Sequence, residues 1–160
     1  MLHTPQKLSR FEVDQSIRVE ELKNDTIIGL ANEENSFAAV LSAKNKHHIY
    51  EYFRHIGKPK RFGPITFAAA IICAIKHCPY KIKELLIDIE YPGYEILITS
   101  YLKNYFPNLL VYFGVIGKKS PAHHAAYGVH IGKRKPDFKI GLSEIERITK
   151  NDPRTVTRAD

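Results

Sequence analysis

From Ile65 to Ile75 the chain is apolar on nearly every side: Ile-Thr-Phe-Ala-Ala-Ala-Ile-Ile-Cys-Ala-Ile, interrupted only by Thr66 and stopped by Lys76-His77. A membrane span needs roughly 18 or more such residues, so this run reads as a helix buried within protein. A helix with no polar face has to be covered all round, and a sheet is the element that offers a broad apolar surface for it. Pro64 suits the first helical position. The fold therefore has to supply strands around this helix.

The strands are legible on both sides of it. Arg10 to Ser16 alternates apolar and polar residues, as a half-buried strand does. After a charged connection from Arg18 to Asp25, the runs Thr26–Ala31 and Ser36–Leu41 flank Asn32-Glu33-Glu34-Asn35 and read as a hairpin with a polar turn. Ile49, Tyr52, Phe53 and Ile56 form a helical stripe that Asn45 would cap. Leu85 to Ile89 is a fourth strand, and Pro92 would open a helix that Pro107 ends. Leu109 to Ile116 is continuous enough to be a central strand. Ser120-Pro121 is an N-cap with proline at the first position, opening a helix to about Ile131. A short helix begins at Leu142. The expected fold is α/β, with a mixed five-stranded sheet (three antiparallel strands, then two parallel) flanked by helices. With 160 residues the chain suits one domain, placed at residues 10–150, with a flexible lead-in at 1–9 and a flexible tail at 151–160. It shows no internal repeat.

Chemistry concentrates in Leu85-Leu86-Ile87-Asp88-Ile89-Glu90-Tyr91-Pro92-Gly93-Tyr94-Glu95. An apolar strand ends on one carboxylate, a second follows two residues on, and a third sits in the first turn of the next helix. Residues two apart share a strand face, so Asp88 and Glu90 can address one volume if the strand runs far enough. Carboxylates that share a site need protons or a divalent cation to hold together. Structural roles stand beside this reading. Glu95 in a first helical turn gains ~0.3–1 kcal/mol from the helix dipole without any metal, Asp88 and Asp14 can close turns, and Glu90 faces away if the strand stops at Asp88.

The order of elements resembles the ribonuclease H-like fold, shared by ribonucleases H, Holliday-junction resolvases, transposases and Argonaute nucleases, over roughly Phe11 to Ile131. Val13-Asp14-Gln15-Ser16 resembles the family's first-strand segment with its central aspartate, and Ile87-Asp88-Ile89-Glu90 resembles its fourth strand. Gly117-Lys118-Lys119-Ser120-Pro121-Ala122-His123 resembles the approach to its last helix, where a further acid or a histidine sits. The resemblance implies that Asp14 and Asp88 approach one metal ion, with Glu90 and His123 supporting and Lys119 steadying a phosphate. Glu95 and Asp137 are additional candidates. It implies magnesium or manganese, two ions about 3.5–4 Å apart, and hydrolysis of phosphodiester bonds. Two other functions stay open: an inactive nucleic-acid-binding or protein-interaction module, and a resolvase acting on branched DNA as a dimer. A competing register makes Ile28 to Glu33 the first strand, which puts Ala31 at the aspartate position. The chain also lacks an Asp-Glu-Gly run and a certain glutamate in the first helix.

Net charge is +7 and the sequence pI about 9.4, and excess positive charge favours phosphate backbones through counterion release. Lys46, Lys58, Lys60 and Arg61 (with Lys44) form one group of cations, and Lys118, Lys133, Arg134 and Lys135 (with Lys119) another. Both are candidate nucleic-acid contacts, for DNA or RNA, by a monomer or homodimer. A charge run is also how a solvated face looks. Tyr91 and Tyr94 could stack on a base or pack against their helix. Cys73 and Cys78 fit no common zinc spacing and are expected reduced. With no secretory signal in the first residues and no apolar span, a cytoplasmic protein that does not enter membranes is expected.

Overall fold

A computed structural model of the chain describes residues 9–153. It is an α/β structure with a six-stranded mixed sheet flanked by helices. In chain order these are β1 (Arg10–Ser16), β2 (Thr26–Ala31), β3 (Ser36–Leu41), α1 (Ala43–His55), a 3-10 turn (Pro59–Arg61) and α2 (Phe62–His77). Then come β4 (Glu84–Asp88), α3 (Glu95–Tyr105), β5 (Leu110–Gly114), α4 (Pro121–His130), β6 (Phe138–Lys139) and α5 (Leu142–Thr149). The expected lead-in and tail lie outside the described residues, apart from Ser9 and 151–153. Ser9 is buried, and its carbonyl accepts from the N–H groups of Lys83 and Glu84.

The strand order is β5-β4-β1-β2-β3-β6. β1 to β3 form the antiparallel meander expected from the alternating first strand and the hairpin after it, β4 joins β1 in parallel, and β5 joins β4 in parallel. The competing register is excluded, because Ile28 to Ala31 lie in β2, and β1 carries Asp14. Two expectations about the sheet are corrected. A sixth strand, Phe138–Lys139, pairs in parallel with β3 at Ala39 and Val40; two residues are too short for a periodic signal. β5 is an edge strand instead of a central one. Its apolar run is continuous because Val111 and Phe113 pack against the core while Leu110 and Tyr112 face outward, half exposed.

The two faces of the sheet are built differently. On one, Phe11, Val13, Ile28, Leu30, Leu85 and Ile87 meet α2, whose residues from Phe62 to Ala74 are all buried. α2 also packs against α3 and α5, so the requirement for cover on all sides is met by both sheet and helices. α2 starts at Phe62, two residues before Pro64, because the 3-10 turn already holds Arg61 in helical conformation. On the other face α4 lies over β1, β2 and β3. It packs through small residues: Ala126 meets Ile27 and Ala38, and a Cβ on Gly29 would stand 2.2 Å from the Ala122 carbonyl oxygen. The missing side chain lets the α4 backbone rest directly on β2.

Two helix starts differ from the sequence reading. Ser42, not Asn45, caps α1; its side chain accepts from the Asn45 N–H, and the Asn45 amide reaches the Ile140 carbonyl. α3 starts at Glu95, three residues past Pro92, because Gly93 at φ +91 makes a turn first. Cys73 and Cys78 are free thiols. Among the described residues, no helix is long and apolar enough to cross a membrane.

Candidate metal centre

The registers place a row across four strands on the α4 side of the sheet. Asp14 faces Gly29 of β2, Val13 pairs with Ile87 so that Asp14 and Asp88 fall side by side, and Asp88 faces Gly114 of β5. Two carboxylates on adjacent parallel strands thus project to one side, and the neighbouring glycines add no side chain between them and what packs above: α4 over Gly29 and Leu86 beside Gly114. Glu90 joins them: Asp14, Asp88 and Glu90 each offer an oxygen within 4.8 Å of the others'.

Each carboxylate is held by a different device. Asp14, 5% exposed, accepts from the Gln15 N–H at 2.8 Å and contacts His123 Nδ1 at 3.0 Å. Asp88 accepts from the Ile116 N–H at 2.8 Å, which ties it to the chain leaving β5. Glu90 is held by Arg18: one guanidinium nitrogen donates to its carbonyl at 2.9 Å, and another lies 3.4 Å from its carboxylate. β4 does stop at Asp88, the case in which Glu90 was expected to face away. The Arg18 grip on backbone and side chain together brings it back to the cluster.

Arg18 is itself placed by its neighbours. Its Nε donates to Glu20 at 3.1 Å, and its guanidinium lies 4.8 Å over the Tyr91 ring. Tyr91 is buried against Phe67, donates its hydroxyl proton to Glu20 at 2.5 Å and accepts from Gln15 at 3.3 Å. It is a packing residue, with no face left for a base. Arg18, Glu20 and Gln15 were not singled out in the sequence, because no spacing rule links position 18 to position 90.

The electrostatics record crowding. Burial pushes the Asp14 carboxyl up, the His123 hydrogen bond pulls it part of the way back, and the Asp88 charge adds to the rise. Glu90 is pushed up to about 7 by burial, then by a hydrogen bond with Asp88 and the Asp88 and Asp14 charges, with Arg18 opposing. Three hard oxygen donors that cannot all ionise comfortably fit a divalent cation, which would replace the missing positive charge.

The other candidates separate clearly. His123 sits in the first turn of α4, whose cap Ser120 also donates to Glu12 at 3.2 Å. Its Nδ1 is committed to Asp14, so it stands beside the three-carboxylate group and not within it. Lys118 and Lys119 are exposed in the turn leading into α4. Glu95 is not part of the cluster, because its carboxylate accepts from the Gly93 N–H at 2.9 Å. Asp137 is a strand-edge clamp, taking the Ala38 N–H at 2.8 Å and Arg134 at 2.7 Å. Arg134 also donates to Ser36 at 2.8 Å, which makes it a tie between the β2–β3 hairpin and the segment after α4.

Lys46 requires the largest correction among the basic residues. Its side chain is fully buried, and Nζ donates to the Glu21 carbonyl at 2.5 Å and to Thr26 Oγ1 at 2.9 Å. It cannot reach a phosphate from there. Lys58, Lys60, Lys133 and Lys135 are exposed, and Arg61 is half-buried. In a comparison with known proteins, no family model matches the chain, and no curated protein does either.

Proposed function

We propose that the chain is a ribonuclease H-like, metal-dependent nuclease that hydrolyses phosphodiester bonds in nucleic acid. The observation that carries this reading is the convergence within 4.8 Å of Asp14 in β1, Asp88 at the end of the adjacent parallel β4, and Glu90 just beyond it. The order β3-β2-β1-β4-β5 supports it, since it is the arrangement that makes the first and fourth strands neighbours; β6 is an addition at the far edge. The +7 charge suits a polyanionic substrate.

Magnesium or manganese is the class of ion such oxygen donors hold, and when bound it supplies a polarised phosphoryl oxygen and an activated water. The chain's own residues do the positioning. Asp14, Asp88 and Glu90 bind the cation. His123 fixes the Asp14 carboxylate, and with Asp14 ionised its Nδ1–H is the donor. The Ile116 N–H fixes Asp88, and Arg18 fixes Glu90. Lys119, exposed before the α4 cap, steadies the scissile phosphate.

The test is cleavage of a panel of single-stranded, duplex, hybrid and branched DNA and RNA with manganese. Metal-dependent products are expected, with Asp88→Asn slower by at least about 100-fold, as for loss of a group acting on transition-state charge. Equal rates for wild type and Asp88→Asn would remove the assignment. Binding without cleavage would instead identify a nucleic-acid-binding module, and products from the branched substrate alone would identify a resolvase.

A further inference from the structure

Helix α4 carries ring surface that its packing does not use. Ala122, Ala125 and Ala126 are buried and account for its seat on the sheet. His123, Tyr127 and His130 recur on another side at helical spacing. The His123 and Tyr127 rings lie nearly parallel, 5.7 Å apart at 10°, and Tyr127 and His130 follow at 6.2 Å and 43°. Tyr127 is 46% exposed. The three positions span about 10 Å of helix.

Three further features bear on what this surface meets. α4 carries no acidic residue, while Lys118 and Lys119 precede it and Lys133 and Lys135 follow it, all four exposed. The inner end of the ladder is joined to Asp14 through His123. On the same side of the sheet, past β1, Leu86 and Tyr112 pair across β4 and β5 and leave an apolar floor, with Tyr112 half exposed.

We propose that this ladder is the seat of an unpaired nucleic-acid strand, with bases stacked on Tyr127 and His130 and phosphates drawn to the lysines at the two ends of α4. Aromatic faces serve bases that are free of a duplex, and such stacking is tolerant of sequence. A duplex keeps its bases stacked on one another and offers mainly backbone, for which lysines would suffice without rings. The nuclease reading contributes only the direction of the strand, toward the carboxylates; the binding surface stands without it.

The experiment is fluorescence anisotropy of a short labelled oligothymidylate and of a duplex of equal length, with EDTA present so that cleavage is silent. Tyr127→Ala is expected to weaken single-strand binding roughly 5- to 100-fold, Tyr127→Phe to restore it, and duplex binding to change far less. His123 is left intact because it touches Asp14. Unchanged single-strand affinity in Tyr127→Ala, an equal loss on the duplex, or no single-strand binding by wild type would each overturn the proposal. If these results hold while no substrate is cleaved, only the nuclease reading fails.

Discussion

At position 46 the chain buries a lysine at the start of α1's inner stripe, ahead of Ile49 and Phe53. Burial lowers its pKa from 10.5 to about 8, opposed by the charges of Asp25, Glu21 and Glu20. The unfolded chain holds this proton up to about pH 10.5 and the folded chain only to about 8, so between those values the unfolded state binds more protons. Stability contributed by Lys46 therefore rises with pH across that window, and the cost of the buried charge is fully present below it. The unfolding free energy of wild type relative to Lys46→Met should grow from pH 8 towards pH 10.5 by as much as about 3 kcal/mol. Urea melts of both proteins at the two ends of the window measure this, and a constant difference would contradict it. The position was readable in part: 46, 49 and 53 repeat at helical spacing, which places a lysine on an apolar face. Charge clustering pointed the other way, and the Glu21 and Thr26 oxygens that satisfy Nζ lie in a loop and a strand that no local pattern connects to α1.

Among the elements, α4 owes its closest approach to the sheet to one residue. Gly29 gives the helix a backbone-to-backbone seat on β2, with Ala122 O and Ala126 N where a side chain would be. The opposing atoms are main chain, so Gly29→Ala has to lift the helix. A destabilisation of about 1–3 kcal/mol is expected, as for other overpacked sites, together with loss of the His123 contact to Asp14. Denaturant melts give the first, and the ring signals of His123 in NMR spectra give the second. Unchanged stability and an unchanged His123 environment would show that the helix seat is not set there. The start of α4 was plain from Ser120 and Pro121, whose capping chemistry is local. Its register on the sheet was not, since Gly29 reads in isolation as an ordinary interruption of an apolar run. The same divide separates β1 to β3, recovered to the residue from the alternation of β1 and the two apolar runs around a polar turn, from β6, whose two residues are held by β3 and by Asp137 beside them.

For the whole molecule, topology turns scattered sequence positions into one place. Asp88 was legible because it ends an apolar strand, and Asp14 only through the likeness of Val13-Asp14-Gln15-Ser16 to a first strand of the ribonuclease H-like kind. Glu90 was legible as a candidate, but its arrival depends on Arg18, 72 residues away, and no spacing announces that contact. The resulting cluster carries its own charge imbalance: burial and the neighbouring acids hold Glu90 at about 7. Its protonated form competes with a cation, so metal affinity should rise with pH through that value and fall below it. Isothermal titration calorimetry with manganese chloride tests the shared cation most directly. Wild type should bind manganese, more tightly above pH 7 than below, and Asp88→Asn should bind it at least about tenfold more weakly. Absence of manganese binding by wild type, or equal affinity in Asp88→Asn, would contradict the account.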